Sequence, residues 1–177
     1  MKKRMVGIFC LLLLLAGGCS TVTAPVMDKR DMKTLADDGA IKANVAAALV
    51  KKSPVKATDV NVHSFRGHVF LIGEADQEFR AFAYATAQAA KGVVHVTPHW
   101  FPTGTGHTFS DTALETQIDT ELLFAKNVRS TQVIVDVWGG HVVLTGIMAN
   151  RASIDRAISS VRKVPGVKSV TSYLSTL

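Results

Sequence analysis

Cysteine is nearly missing from the 177 residues: Cys10 and Cys19 are the only two, and both lie near one end. They cannot build a disulfide framework or a zinc site in the folded part, so no internal covalent staple is expected. Long apolar runs are missing too. Val6 to Leu15 spans ten residues with only Gly7 not strongly apolar, too short for a finished transmembrane helix. No G-x-S-x-G elbow appears, and no pair of carboxylates stands out for glycosidase chemistry, so the chain reads as non-catalytic, with no cofactor and no metal. What is present suffices for folding. With 47% hydrophobic and 19% charged residues and a mean hydropathy of +0.22, the chain is too apolar for disorder and long enough for one medium domain or two small ones.

The net charge of +6 is partly an address label. Three of the 20 bases, Lys2, Lys3 and Arg4, stand ahead of the apolar run, which leaves 17 against 14 acids. After the run comes Ala16-Gly17-Gly18-Cys19-Ser20, three small residues and a thiol. That segment resembles the lipobox of bacterial lipoproteins. The resemblance implies a signal peptide over 1–18, lipidation at Cys19 and, with Ser20 following the cysteine, export to the outer membrane facing the periplasm. Residues 19–36 contain Pro25 and lack a sustained apolar period, and are read as a tether between membrane and fold.

An internal repeat organises the remainder. Gly67-His68-Val69-Phe70-Leu71-Ile72-Gly73 recurs as Gly140-His141-Val142-Val143-Leu144-Thr145-Gly146, an offset of 73 that also aligns Ile41 with Leu114, Val62 with Val135 and Phe65 with Trp138. Past the second helix the offset becomes 74, aligning Gly92 with Gly166, through an insertion near Pro165. Each copy opens with a helix marked by Ile41, Val45 and Leu49 or by Leu114, Ile118 and Leu122, the second capped at Ser110-Asp111. A β-hairpin follows, turning at Arg66-Gly67 or Gly139-Gly140. Gly67, Gly73, Gly140 and Gly146 are expected to be structural, supplying a positive φ or a close helix approach. A second helix, about Asp76 to Lys91 and Asn150 to Lys163, and a third strand complete the copy.

The expected fold is therefore α+β: two tandem αββαβ modules, over 37–101 and 107–177, each a small three-stranded mixed sheet packed on two helices. At about 65 residues a copy is near the lower limit for an independent core, so the two should pack on each other. The linker Pro102 to His107 is turn-rich and should permit some reorientation. Tandem αββαβ modules with a G-H-V-x-L-x-G strand and a terminal G-V-x-x-V strand resemble the BON domain of bacterial osmotic-shock and nodulation proteins. That resemblance implies a non-catalytic module that associates with anionic phospholipid membranes and supports envelope integrity. An envelope protein partner is the alternative, with membrane attachment through acyl chains alone; an exported chain of this charge has no nucleic-acid partner.

Charge in the second copy is segregated. Five acids lie between Asp111 and Asp136, and Arg151, Arg156, Arg162, Lys163 and Lys168 follow. On a helix of 100° per residue, Ile154, Ala157, Ile158 and Val161 form the buried stripe, leaving a basic outward face as the candidate lipid contact. Trp138 joins the candidates as an interfacial aromatic, while its alignment with Phe65 equally fits a core corner. Phe79, Phe82 and Tyr84 give the first copy extra aromatic surface, for module docking or for a protein partner. His63, His95 and His99 fall on one open sheet face by strand alternation.

Overall fold

The computed structural model describes residues 32–125 and 133–176. The lipobox, Cys19 and most of the tether lie outside the described residues. The elements run α1 (Met32–Lys52), α2 (Pro54–Ala57), β1 (Val60–Phe65), β2 (His68–Gly73), α3 (Gln77–Ala89), β3 (His95–Trp100), α4 (Phe109–Phe124), β4 (Val133–Trp138), β5 (His141–Met148), α5 (Arg151–Val161) and β6 (Ser169–Thr176). Each module is the expected α+β unit. Its hairpin pairs antiparallel and its last strand joins the middle strand in parallel, giving sheets ordered β1-β2-β3 and β4-β5-β6.

Local chemistry sets the boundaries. Helix α1 is described from Met32 on, inside the stretch read as tether, and Lys33 pairs with Asp37 one turn on, at 2.8 Å. Ser53 caps α2 with Pro54 behind it; nothing in the hydrophobic pattern announced this single turn. Asp76 and Asn150 cap α3 and α5. For α4 the cap is Thr108, not Ser110-Asp111: the Thr108 hydroxyl accepts from the Asp111 amide and the Asp111 carboxylate accepts from the Thr108 amide, a reciprocal capping box.

Three apolar clusters hold the molecule. One gathers Ile41, Val45 and Leu49 of α1, Phe79, Ala83 and Ala87 of α3, and Val69 and Leu71 of β2. The second repeats it with Leu114, Ile118, Leu122, Ile154, Ala157, Val161, Val142 and Leu144. The third joins the opposite faces of both sheets: Phe65, Phe70, Ile72 and Phe101 against Trp138, Val143 and Ile147. The modules therefore dock through their sheets, helices outward. A middle strand covered on both faces needs apolar residues at consecutive positions, which accounts for Val69-Phe70-Leu71-Ile72 in β2.

Glycine is required at two repeated positions. Arg66 and Gly67 have φ of 56° and 76°, and Gly139 and Gly140 of 55° and 82°, the doubly left-handed turn that matches hairpin twist. A Cβ on Gly67 or Gly140 would also lie 2.6 or 2.8 Å from the carbonyl oxygen of Gly92 or Gly166. Gly73 has φ of 150°, and a Cβ there would meet the Asp59 carbonyl oxygen at 1.9 Å. The close approach is thus to backbone entering β1, not to a helix. Gly146, with φ of 143°, lies inside β5, which continues two residues beyond it.

Candidate functional site

The two sheets meet around a pseudo-twofold axis on which repeat-related residues touch each other. His63 Nε2 donates to both carboxylate oxygens of its repeat mate Asp136, at 3.0 and 3.1 Å, and Asn61 Nδ2 donates to Oδ1 at 2.7 Å. His99 Nδ1 lies 3.0 Å from the hydroxyl of its mate Tyr173. The face expected to be open around His63 and His99 is the docked one. Burial pushes the His99 imidazole below its ordinary value, with the Asp136 carboxylate partly opposing, and burial raises the Tyr173 phenol. The third histidine on that face, His95, lies at the rim edge-on to His68, whose value burial and then His95 lower.

Trp138 does not reach a membrane surface. It is 2% exposed, stacked on Phe101 at 5.2 Å between centroids and met edge-on by His107 at 5.3 Å. The sheet face opposite the helices, where strand alternation puts it, is covered by the first module. Its Nε1, with His63 Nδ1 and Thr145 Oγ1, has no hydrogen-bond partner among the described residues. The aromatics of α3, Phe79, Phe82 and Tyr84, do not dock the modules either. Phe79 is buried in its own core, Phe82 packs against the same core, and Tyr84 is 38% exposed.

The linker is pinned rather than free to reorient. Glu74 accepts from the Gly104 and Gly106 amides, the latter at 2.8 Å, and those bonds, Gly106 first, hold its carboxyl below the usual range. Arg80 donates to the carbonyls of Ala75 and Phe101, with its guanidinium over Trp100.

A buried carboxylate supports each hairpin; the sequence reading passed over Asp38 and took Asp111 only as part of a helix cap. Asp38 of α1 accepts from the Ser64 hydroxyl and the Arg66 and Gly67 amides; Asp111 of α4 accepts from the Gly140 amide at 2.9 Å. For Asp111 burial pushes upward, but the Thr108 hydroxyl and amide and the Gly140 amide together hold the carboxyl below its ordinary value. The signal was available, since the two aspartates obey the offset of 73. Above each lies a repeat-related groove, about 640 Å³ beside Ile41, Arg66 and Lys91 and about 510 Å³ beside Leu114, Gly139 and Lys168.

The five bases are all exposed. Arg151 pairs with Asp155 at 3.2 Å, and Arg156 Nη2 donates to Ser153 Oγ at 3.3 Å. Arg162 forms the C-cap of α5 with Lys163 next to it, and Lys168 lies in the turn before β6, its stem beside Gly140. None of Arg162, Lys163 and Lys168 makes an ion pair among the described residues. The buried stripe opposite holds Ser153, Ile154, Ala157 and Val161, with Ile158 half-buried. Exposed apolar residues that the periodicity did not single out bracket α4: Phe109 at 91%, Leu123 at 64% and Phe124 at 80%.

The chain belongs to the BON domain family, which it matches over residues 37–99 and 110–177. It is 36% identical over 148 residues to osmotically-inducible protein Y of Escherichia coli, covering 79% of this chain and 73% of that protein. It is 31% identical to a 21 kDa hemolysin of Actinobacillus pleuropneumoniae, over 86% of this chain and 80% of the relative. It is 29% identical to the outer membrane lipoprotein DolP of Haemophilus influenzae, over 87% and 82%.

Proposed function

We propose that this is a non-catalytic envelope lipoprotein, anchored in the outer membrane through Cys19 and facing the periplasm, whose second module binds anionic phospholipid and helps maintain envelope integrity. The lipobox resemblance and a relative named as an outer membrane lipoprotein support the location. The observation that carries the lipid reading is the outward face of α5, where Arg151, Arg156, Arg162 and Lys163 are exposed with one acid, Asp155, between them. Each base near an anionic bilayer contributes about 1 kcal/mol within a Debye length of about 8 Å. Four give a weak hold, which is enough for a protein already tethered.

The test is sedimentation of a soluble form starting at Ser20 with vesicles of neutral lipid or of phosphatidylglycerol mixtures. Binding that requires the anionic lipid, declines with salt and weakens in an Arg156→Ala/Lys163→Ala variant supports the reading. Absence of binding at low salt sinks it and leaves the acyl chains as the membrane contact. The alternative, an adaptor for an envelope protein, draws support from Phe109, Leu123 and Phe124, whose rings and side chain stand in solvent.

A further inference from the structure

The two repeat-related grooves share a floor and differ at the rim. Each is bounded by the first helix of its module, the hairpin turn and the turn before the last strand, and each keeps an apolar residue, Ile41 or Leu114, and a buried aspartate, Asp38 or Asp111. Around the first stand Arg66, Lys91 and Lys33. The second has Gly139 and Pro165 in the places of Arg66 and Lys91, and its one cation, Lys168, in the place of Val94. The acids of the first groove are already engaged. Asp37 pairs with Lys33 at 2.8 Å, and Asp38 accepts from the Ser64 hydroxyl at 2.7 Å and from the Arg66 and Gly67 amides at 2.7 and 2.9 Å. Arg66 and Lys91 are exposed and, among the described residues, make no ion pair. Arg66 also has φ of 56°, the only positive value of a non-glycine residue among those described. The other hairpin puts Gly139 at that φ, so the first retains a guanidinium where glycine would be less strained.

We propose that the groove of the first module is a binding site for a phosphate-bearing ligand, with Arg66 and Lys91 as its anion contacts. A guanidinium offers two parallel N–H donors to phosphate oxygens, and an ammonium adds a point charge. Because Asp38 holds the Arg66 and Gly67 amides, the guanidinium stems from a fixed backbone, which lowers the ordering cost of binding. The groove, about 640 Å³, has the size of a small-ligand site. Val94, 83% exposed beside Gly67, supplies apolar surface for the organic part of such a ligand. The same phosphate chemistry belongs to a soluble phosphomonoester and to a lipid headgroup, and the two arms of the test separate them. Neither contact residue belongs to α5, so this site and the basic face of α5 stand or fall separately.

Titration of the full chain in nonionic detergent, followed by backbone amide NMR shifts, tests it. Glycerol phosphate is the soluble probe; phosphatidylglycerol in mixed micelles is the lipid probe, with diacylglycerol, which lacks phosphate, as its control. The amides of Arg66, Gly67, Lys91 and Gly92 are expected to move saturably with at least one phosphate probe and not with diacylglycerol. Movement with glycerol phosphate assigns a soluble ligand, and movement with phosphatidylglycerol alone assigns a headgroup. Arg66→Gly and Lys91→Gln should each weaken that binding about tenfold or more, and Arg156→Ala/Lys163→Ala should leave it unchanged. Arg66→Gly relieves the turn and should melt no lower than wild type, so lost folding does not account for its effect. No movement with either phosphate probe, equal movement with diacylglycerol, or a folded Arg66→Gly/Lys91→Gln chain that binds like wild type would overturn it.

Discussion

Helices α3 and α5 hold the same place in the two modules and differ in what they turn outward. Both bury a narrow stripe, Phe79, Ala83 and Ala87 in one and Ile154, Ala157 and Val161 in the other. Outside, α3 shows mainly alanine and glutamine with Glu78, and its one arginine, Arg80, is tied to carbonyls; α5 shows arginines. The same scaffold thus presents a neutral surface once and a basic one once, which core packing permits because, Arg80 apart, these residues point away from the sheet. The docked faces teach the converse. At the pseudo-axis, mates must meet one another, so identical residues would have set histidine on histidine; His63 with Asp136 and His99 with Tyr173 are complementary instead. Divergence between copies has been used for fit at the centre and for chemistry at the rim.

The largest effect should come from breaking the centre. Asp136→Ala leaves the buried His63 without its acceptor and takes one from the exposed Asn61, and about 3 kcal/mol of unfolding free energy should be lost in denaturant titration. A His63→Phe/Asp136→Leu double variant should recover most of that loss, because the cost lies in the unpaired group rather than in the missing pair. Next come the repeated turns. Gly67→Ala and Gly140→Ala should each cost about 1–3 kcal/mol, and nearly equally, since both combine a positive φ with a carbonyl close to the new Cβ. A marked inequality would mean that the hairpins, alike in geometry, differ in how far they relax.

A smaller effect should appear with pH. The folded-state value of His99 lies below 6.5, so the unfolded chain binds a proton more readily than the folded one. Its contribution is full above 6.5 and is lost as pH falls through the lowered folded value; His68 acts in the same direction. Stability measured at about pH 7.5 and about pH 5 should decline, and His99→Gln should remove part of the decline, under about 1 kcal/mol. An unchanged slope in His99→Gln would assign the decline to other groups.

The duplication made the module legible. Repeated Gly-bounded strands and helical stripes located the principal strands and helices, and the offset paired positions that prove equivalent in space, down to Gly92 and Gly166 with φ of 90° and 97°. Docking was legible as a need, while its face was not: Trp138 and Phe65 align as aromatics whether they meet lipid, their own core or the other module. The unbroken apolar run of β2 was the available clue, because alternation would have sufficed had one sheet face met water. The Asp38 and Asp111 carboxylates were hidden by type, since an aspartate on a helix reads as solvated until its hairpin partner is placed 28 or 29 residues away. Helix α2 rests on a serine and a proline, too short for any periodicity. The bases of α5 needed only helical spacing, and all prove exposed.

The assignment of the lipid surface to the basic face of α5 is tested most directly by matched charge removal. Arg156→Ala/Lys163→Ala on α5 and Lys42→Ala/Lys51→Ala on α1 each remove two exposed bases, so net charge falls equally. Sedimented with phosphatidylglycerol vesicles at low salt, the α5 variant should bind about 30-fold more weakly than wild type, at about 1 kcal/mol per base, and the α1 variant should bind as wild type does. Equal losses in both variants, or a loss confined to the α1 variant, would contradict the assignment of the lipid surface to the second module.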